Sequence, residues 1–321
     1  MLTENLLAAK DIESIRKIPK ADVHAHMVLS APFSAYQEVF ESSLEPPPDI
    51  FTGGLPHFLQ YLKTAFFPHF RHPDQLRYIL QQVLQHMVED GVVYTELSFD
   101  IRLPLAFGIS WETFVILVED EISKFREHIT VHPDLGMARE IDEQLWRENA
   151  EKALATKYFK GVDIYGDELA REIGYFSEYL RQAKEQGLKI KIHSGEVGDA
   201  VRVLKEYEHV QPDAIQHGIR ASENSEVLEA LVEARVTVNV CPASNMALRL
   251  VNDYSCHPIA DMLRAGLRVT VNTDDYAIFG TSLSEEYLHL FENGLLTAAE
   301  LELIRVHGLK ENASENNPSR Q

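Results

Sequence analysis

The fold this chain predicts is an α/β barrel of the TIM type, (β/α)8, closed as a single domain over residues 1–321. Two observations predict it. Eight short apolar runs rich in β-branched residues alternate with helical stretches, the signature of repeated parallel βαβ units. The chain is also 321 residues long, a size that one large barrel core accommodates.

In chain order the strand candidates are Ala21–His26, Val92–Phe99, Ile129–Leu135, Gly161–Ile164, Leu188–His193, Ala214–His217, Val236–Cys241 and Arg268–Asn272. The third is interrupted by His132-Pro133-Asp134. Between strands, Leu76, Ile79, Leu80, Val83, Leu84 and Met87 repeat at three- and four-residue spacing, which predicts an outer helix over Leu76 to Val88 with one buried face. Ser177 to Gln186, stopped by Gly187, and Asn224 to Ala234 predict two more. Residues 44–56, with Pro46-Pro47-Pro48 and Gly53-Gly54, read as a loop. It leads into an aromatic helix, His57 to Phe70, inserted after the first strand as a lid. Residues 1–14 are expected at the periphery, and the polar stretch from Lys310 is expected to fray.

Thirty Lys and Arg against fifty Asp and Glu leave a formal net charge of −20, which repels a phosphodiester backbone and argues against nucleic acid as a partner. A small molecule is the expected partner, and a monomer or small homo-oligomer the expected state. No run approaches the ~20 apolar residues of a membrane span. With two cysteines, Cys241 and Cys256, and no apolar leader, the expected setting is the reducing cytoplasm. The sequon at Asn312 then carries no meaning.

Four short pieces carry the chemistry. Residues two apart on a strand face the same way, about 6.6 Å apart at roughly 3.3 Å per residue, so His24 and His26 can grip one ion. A lone His-x-His is commonly two histidines on a half-buried strand. This one follows the first strand at the C-terminal mouth, where barrel active sites lie. His193 closes the fifth strand, and Gly195 permits a tight turn that folds Glu196 back toward the metal. Asp274 ends the eighth strand, where an unpaired carboxylate would be costly. Three nitrogens and one oxygen make a catalytic zinc site, His24, His26, His193 and Asp274. His217 ends the sixth strand, placed to orient an attacking water.

Together, His24-Ala25-His26, Gly166-Asp167-Glu168, His193-Ser194-Gly195-Glu196, His217-Gly218, Cys241-Pro242-Ala243-Ser244-Asn245 and Asn272-Thr273-Asp274-Asp275 resemble the adenosine deaminase family of the amidohydrolase superfamily. The resemblance spans roughly residues 15 to 310, with all six motifs in family order. It implies one Zn2+ per chain and hydrolytic deamination of a 6-aminopurine, adenosine or deoxyadenosine first. A zinc ion would bring the pKa of water to about 7. Glu196 would protonate the purine N1, His217 would position the nucleophile, Asp275 would hydrogen-bond N7, and the Gly166 N–H would meet N3. Ser244 would support His217 from behind. The lid aromatics Phe58, Tyr61, Phe66 and Phe67 would pack on the purine or, alternatively, fill the core.

Three departures cluster at the substrate pocket. Val28 stands where nucleoside-using relatives carry an acid that contacts the ribose. Tyr276 replaces a usual proline, which could bring its phenol to the substrate. Glu96-Leu97-Ser98 lacks an arginine that many relatives carry. Adenine, an adenine nucleotide or a modified aminopurine are therefore alternative substrates. A different amidohydrolase and a non-catalytic purine-binding protein are alternative functions. A binuclear amidohydrolase would need a lysine on the fourth strand's mouth end, and Lys160 lies at the opposite end. The cytidine-deaminase class is set aside, since Cys241 and Cys256 do not form its Cys-x-x-Cys pair.

Overall fold

The computed structural model describes residues 1–40 and 44–315, with side chains as far as Lys310. Its strands are β1 (Lys20–His26), β2 (Val92–Asp100), β3 (Thr130–Ala138), β4 (Gly161–Tyr165), β5 (Lys189–Ser194), β6 (Ala214–His217), β7 (Thr237–Val240) and β8 (Arg268–Val271). They form one sheet in sequential order, each paired parallel to the next. The ends of the sheet meet just past β8. There Asp274 N–H donates to the His24 carbonyl at 3.0 Å and His26 N–H to the Asp274 carbonyl at 3.2 Å. Val23 N–H adds a bond to Asn272 Oδ1 at 2.9 Å. Closure of the barrel and assembly of the site thus use the same residues.

Every strand the sequence predicted is present, with ends moved by a few residues. The third extends furthest beyond its expected end, to Ala138. Pro133 does not break it, because its carbonyl still accepts Lys160 N–H at 2.8 Å. The outer helix runs Pro73–Glu89 and buries all six apolar residues of the predicted stripe. Helices Ser177–Glu185 and Ser225–Ala234 follow their patterns, the latter capped by Asn224 Oδ1 on the N–H groups of Glu226 and Val227.

The segment after β1 departs from expectation in two ways. Its helix starts at Gly54, inside the predicted loop, and Pro56 is tolerated because a first turn needs no N–H from it. After Tyr61 the chain widens into a π turn, Leu62–Phe66, and then tightens over Phe67–His69. A π turn inserts an extra residue and rotates all that follows, so the aromatics do not share one face. At the amino end, helices Glu4–Ala8 and Ile12–Arg16 bury Leu7 and Ile15. The last helix runs Ala298–Glu315, past the point at which fraying was expected. The tail beyond it lies outside the described residues.

Candidate active site

Strand ends at the C-terminal mouth bring the predicted histidines and acids together, nearly all of them buried. His24 Nε2 and His26 Nε2 approach Asp274 Oδ1 at 3.3 and 3.4 Å. The His193 ring stands 4.7 Å from that of His24 and 5.3 Å from that of His26. Donor atoms of His24, His26 and His193 lie within 4.8 Å of one another, as do those of His193, Glu196 and His217, and those of His26, Asp274 and Asp275.

Backbone geometry here is unusual. His217 and Asp274 hold φ near +60°, a region non-glycine residues enter rarely and at a cost, concentrated at functional sites. Gly195 has φ of +74°, and a Cβ there would come within 2.4 Å of Val203. The predicted turn therefore requires glycine. It is held by the buried Glu168 carboxylate, which accepts N–H bonds from Gly195 at 2.8 Å, from Gly198 at 2.7 Å and from Val197. That turn carries Glu196 to 3.7 Å from His217 Nε2.

Whether this set suits a divalent cation can be judged from its unmet polar atoms. His24 is oriented through Nδ1, which faces the Asn239 carbonyl and Cys241 Sγ, both at 3.3 Å. Its Nε2, His193 Nε2, both Asp163 oxygens and Asp275 Oδ1 are buried without a hydrogen bond among the described residues. Such atoms are costly to leave unmet. Imidazole nitrogens and carboxylate oxygens converging on one point are a zinc-type donor set.

The electrostatics agree. Burial, then the nearby charges of Asp274, Glu168 and Asp275, push the Glu196 carboxyl well above its ordinary range. Burial and Asp274 do the same to Asp275. Burial lowers His193 to about 4 despite Asp163, and burial, aided by neighbouring imidazoles, also holds His217 well below its ordinary value despite Asp274. His26 is the exception: against burial, Asp275, Asp274 and Asp163 raise it to about 9. Acids crowd this space without enough cations to answer them, an imbalance that a divalent ion relieves.

A cavity of about 530 Å³ opens over the cluster. That is within the roughly 300–1,000 Å³ of small-molecule sites. His26, Val28, Phe58, Gly166, Glu196 and Asp275 are among its walls, with Phe67. At Gly166 a Cβ would meet the Glu140 carboxylate at 2.3 Å, so the bare backbone is what faces the cavity.

Several expected positions need correction. Tyr61 turns away to donate to the Glu45 carbonyl, and Phe66 is buried against Tyr36, Phe40 and Phe70; neither lines the cavity. Tyr276 stacks on His86 with ring centres 3.9 Å apart, away from the cavity. Ser244 Oγ has no hydrogen bond among the described residues, while Asn245 Nδ2 lies 3.4 Å from His217 Nδ1. On the short helix Pro242–Ala247 one residue is about 100° of rotation, enough to exchange the two roles.

Sequence reasoning also passed over Asp163 and Arg139, and quoted Glu168 within a motif without giving it a role. Asp163 Oδ1 lies 3.5 Å from His193 Nε2 and its Oδ2 lies 4.0 Å from His26 Nδ1. Arg139 is buried, paired with Glu206 at 2.7 and 2.8 Å, and donates to the His193 carbonyl at 2.7 Å. The available signal was a charged residue inside, or just past, an apolar strand.

A family model described as adenosine deaminase matches residues 40–321. The chain belongs to the adenosine deaminase family. It is a hydrolytic deaminase acting on C–N bonds, within a group of adenine, adenosine and AMP deaminases that generally use a metal. A Treponema pallidum protein whose name proposes adenosine/adenine deaminase activity is 30% identical over 92% of this chain and 98% of its own length. An adenine deaminase of Psychrobacter cryohalolentis is 27% identical over 90% of this chain and 91% of its own. Among solved structures, an adenine deaminase from Arthrobacter aurescens superposes with a TM-score of 0.83 at 24% identity, covering 91% of this chain and 93% of that one. The family's barrel is therefore this chain's barrel. No described helix is long and apolar enough to cross a membrane.

Proposed function

We propose that this deaminase acts on a 6-aminopurine nucleoside, adenosine or deoxyadenosine, giving the 6-oxopurine and ammonia with one zinc ion per chain. One observation supports the reading most: the His24, His26, His193 and Asp274 donors, with Glu196 and His217 beside them, converge under a cavity that Gly166 and Asp275 also line. Zinc held by those four residues would supply the Lewis acidity that makes water a nucleophile at neutral pH. The other roles belong to side chains. His217, steadied by Asn245, orients the incoming oxygen at C6. Glu196, fixed by the Glu168-bound turn, delivers a proton to N1 as the ring loses aromaticity. Asp275 bonds N7 and the Gly166 N–H bonds N3, so the ring is held edge-on. Of the two protons of the attacking water, one restores Glu196 and the other goes to the amino group, so that the C6–N6 bond breaks, ammonia leaves and the oxygen stays on C6.

Free adenine is the second reading, favoured by relatives named adenine deaminase and by the apolar Val28. The absorbance change on adding adenosine, deoxyadenosine or adenine to zinc-loaded protein separates the two. Flat traces for bases, nucleosides and nucleotides alike would overturn both.

A further inference from the structure

Behind His217 a second histidine is tied to it through Asn245. His257 is buried just ahead of the short helix Ile259–Arg264. Its Nδ1 accepts the Ile259 N–H at 3.2 Å, and its Nε2 lies 3.1 Å from Asn245 Oδ1. Asn245 Nδ2 in turn lies 3.4 Å from His217 Nδ1. All three side chains are buried.

Every proton in this chain is placed from its far end. The Ile259 amide opens a helix, where an N–H has no acceptor within the helix and can only donate. His257 Nδ1 is therefore bare. Burial keeps His257 neutral, its pKa pushed down to about 3, so its one ring proton sits on Nε2. That N–H needs an acceptor, which turns the Asn245 amide with Oδ1 toward His257 and Nδ2 toward His217. Facing an N–H, His217 Nδ1 is bare as well, and the ring proton of His217 is left on Nε2. Nε2 points into the site, 3.7 Å from Glu196 Oε1 and 3.9 Å from Asp274 Oδ2.

We infer that His257 is a positioning residue of the deaminase, holding His217 through Asn245 as the Nε2–H tautomer. The inference rests on the role given to His217 above and sharpens it. In this tautomer His217 donates a hydrogen bond to the oxygen arriving at C6 and cannot take a proton from it through Nε2. Both protons of the water are then left for Glu196 and the amino group. With the Asn245 amide reversed, a bare Nε2 would instead face the lone pairs of the incoming oxygen.

Two measurements test this. In zinc-loaded protein carrying ¹⁵N-histidine, the ring nitrogen shifts separate a protonated nitrogen from a bare one. The His217 and His257 signals are identified by their loss in His217→Gln and His257→Gln. Both rings should show a bare Nδ1 and a protonated Nε2, and a protonated Nδ1 on either would overturn the inference. The second measurement divides the two contacts of His257. His257→Asn keeps an oxygen near the Ile259 N–H but is too short to reach Asn245, whereas His257→Gln returns an N–H to the place of Nε2. His257→Asn should lower kcat for the aminopurine turned over best by about tenfold or more, with KM and zinc content at parent levels. His257→Gln should recover most of that loss. Equal kcat in the two variants, or the lower value in His257→Gln, would overturn the positioning role, since a purely structural histidine is better replaced by the residue that keeps the helix contact. A parent protein that deaminates no aminopurine would overturn the deaminase reading, and the catalytic part of this inference with it, while the tautomers would still be decided by the ¹⁵N shifts, which need no substrate.

Discussion

The two ends of the barrel interior bury charge in opposite ways. At the N-terminal end, Lys191 reaches Asp134 at 2.5 Å and Glu96 at 3.2 Å, and Lys189 reaches Glu96 at 2.7 Å. Ammonium groups answer the carboxylates there, and Glu96 is held far below its ordinary range even though burial works against it. At the C-terminal mouth Asp163, Asp274, Asp275 and Glu196 share a comparable burial chiefly with imidazoles. The first arrangement is complete in itself and serves the fold. The second is incomplete until a cation and a substrate arrive, and that incompleteness is what a reactive site requires.

The contrast would break most visibly at Glu196. Glu196→Gln keeps the shape and removes the proton that N1 needs, so kcat should fall by about 10²–10⁴-fold. Zinc content and thermal stability should stay at parent levels, because no ligand is lost and one crowded acid is neutralised. Turnover surviving in that variant would remove Glu196 from the proposed mechanism.

At the other end Lys191→Met should do the reverse. Removing the shared ammonium leaves Asp134, among the described residues, with only His132 and Glu96 with Lys189, and costs about 3–5 kcal/mol of stability, measured by urea unfolding. The zinc stoichiometry of the folded fraction should not change. If metal content fell in step with stability, the two ends would be coupled and the division drawn here would be wrong.

Asp163 tests the boundary between them. Its oxygens face His26 and His193 with no hydrogen bond of their own among the described residues. Outer partners of ligating histidines commonly contribute 10–100-fold in metal affinity. Asp163→Asn should therefore weaken zinc by about that factor in a chelator competition, with the fold intact by circular dichroism. Unchanged affinity would return Asp163 to a purely structural role.

Much of this was legible in the residues themselves. Apolar, β-branched-rich runs placed all eight strands, and a three- and four-residue spacing placed the Pro73–Glu89 helix, because burial imposes both patterns directly. The histidines and acids were legible because each lies near or just past the C-terminal end of a strand and so faces the mouth. What escaped depended on rotation and on distant partners. The π turn at Leu62–Phe66 moved Phe66 and Tyr61 off the face expected of a regular helix, and no sequence period announces it. Asn245 in place of Ser244 is one step around a short helix. Glu168 acts through N–H groups of residues some thirty positions further on, a contact visible only once β4 and β5 lie side by side.

The smallest effect expected near neutrality is the acid response of the lysine-paired end. The folded Glu96 carboxyl lies below its ordinary value of 4.5, so folding favours its ionised form. Its contribution is fully present above pH 4.5 and is lost as pH falls below that value through the depressed one. At pH 7 no slope arises from it. Urea unfolding at a series of pH values from 6 to about 3 should show stability declining on acidification. Lys189→Met removes one of the two ammonium groups holding Glu96 down and should make that decline shallower. Equal slopes in the two proteins would mean that other carboxylates govern the acid limb and that the Lys189 pair is not what keeps Glu96 ionised.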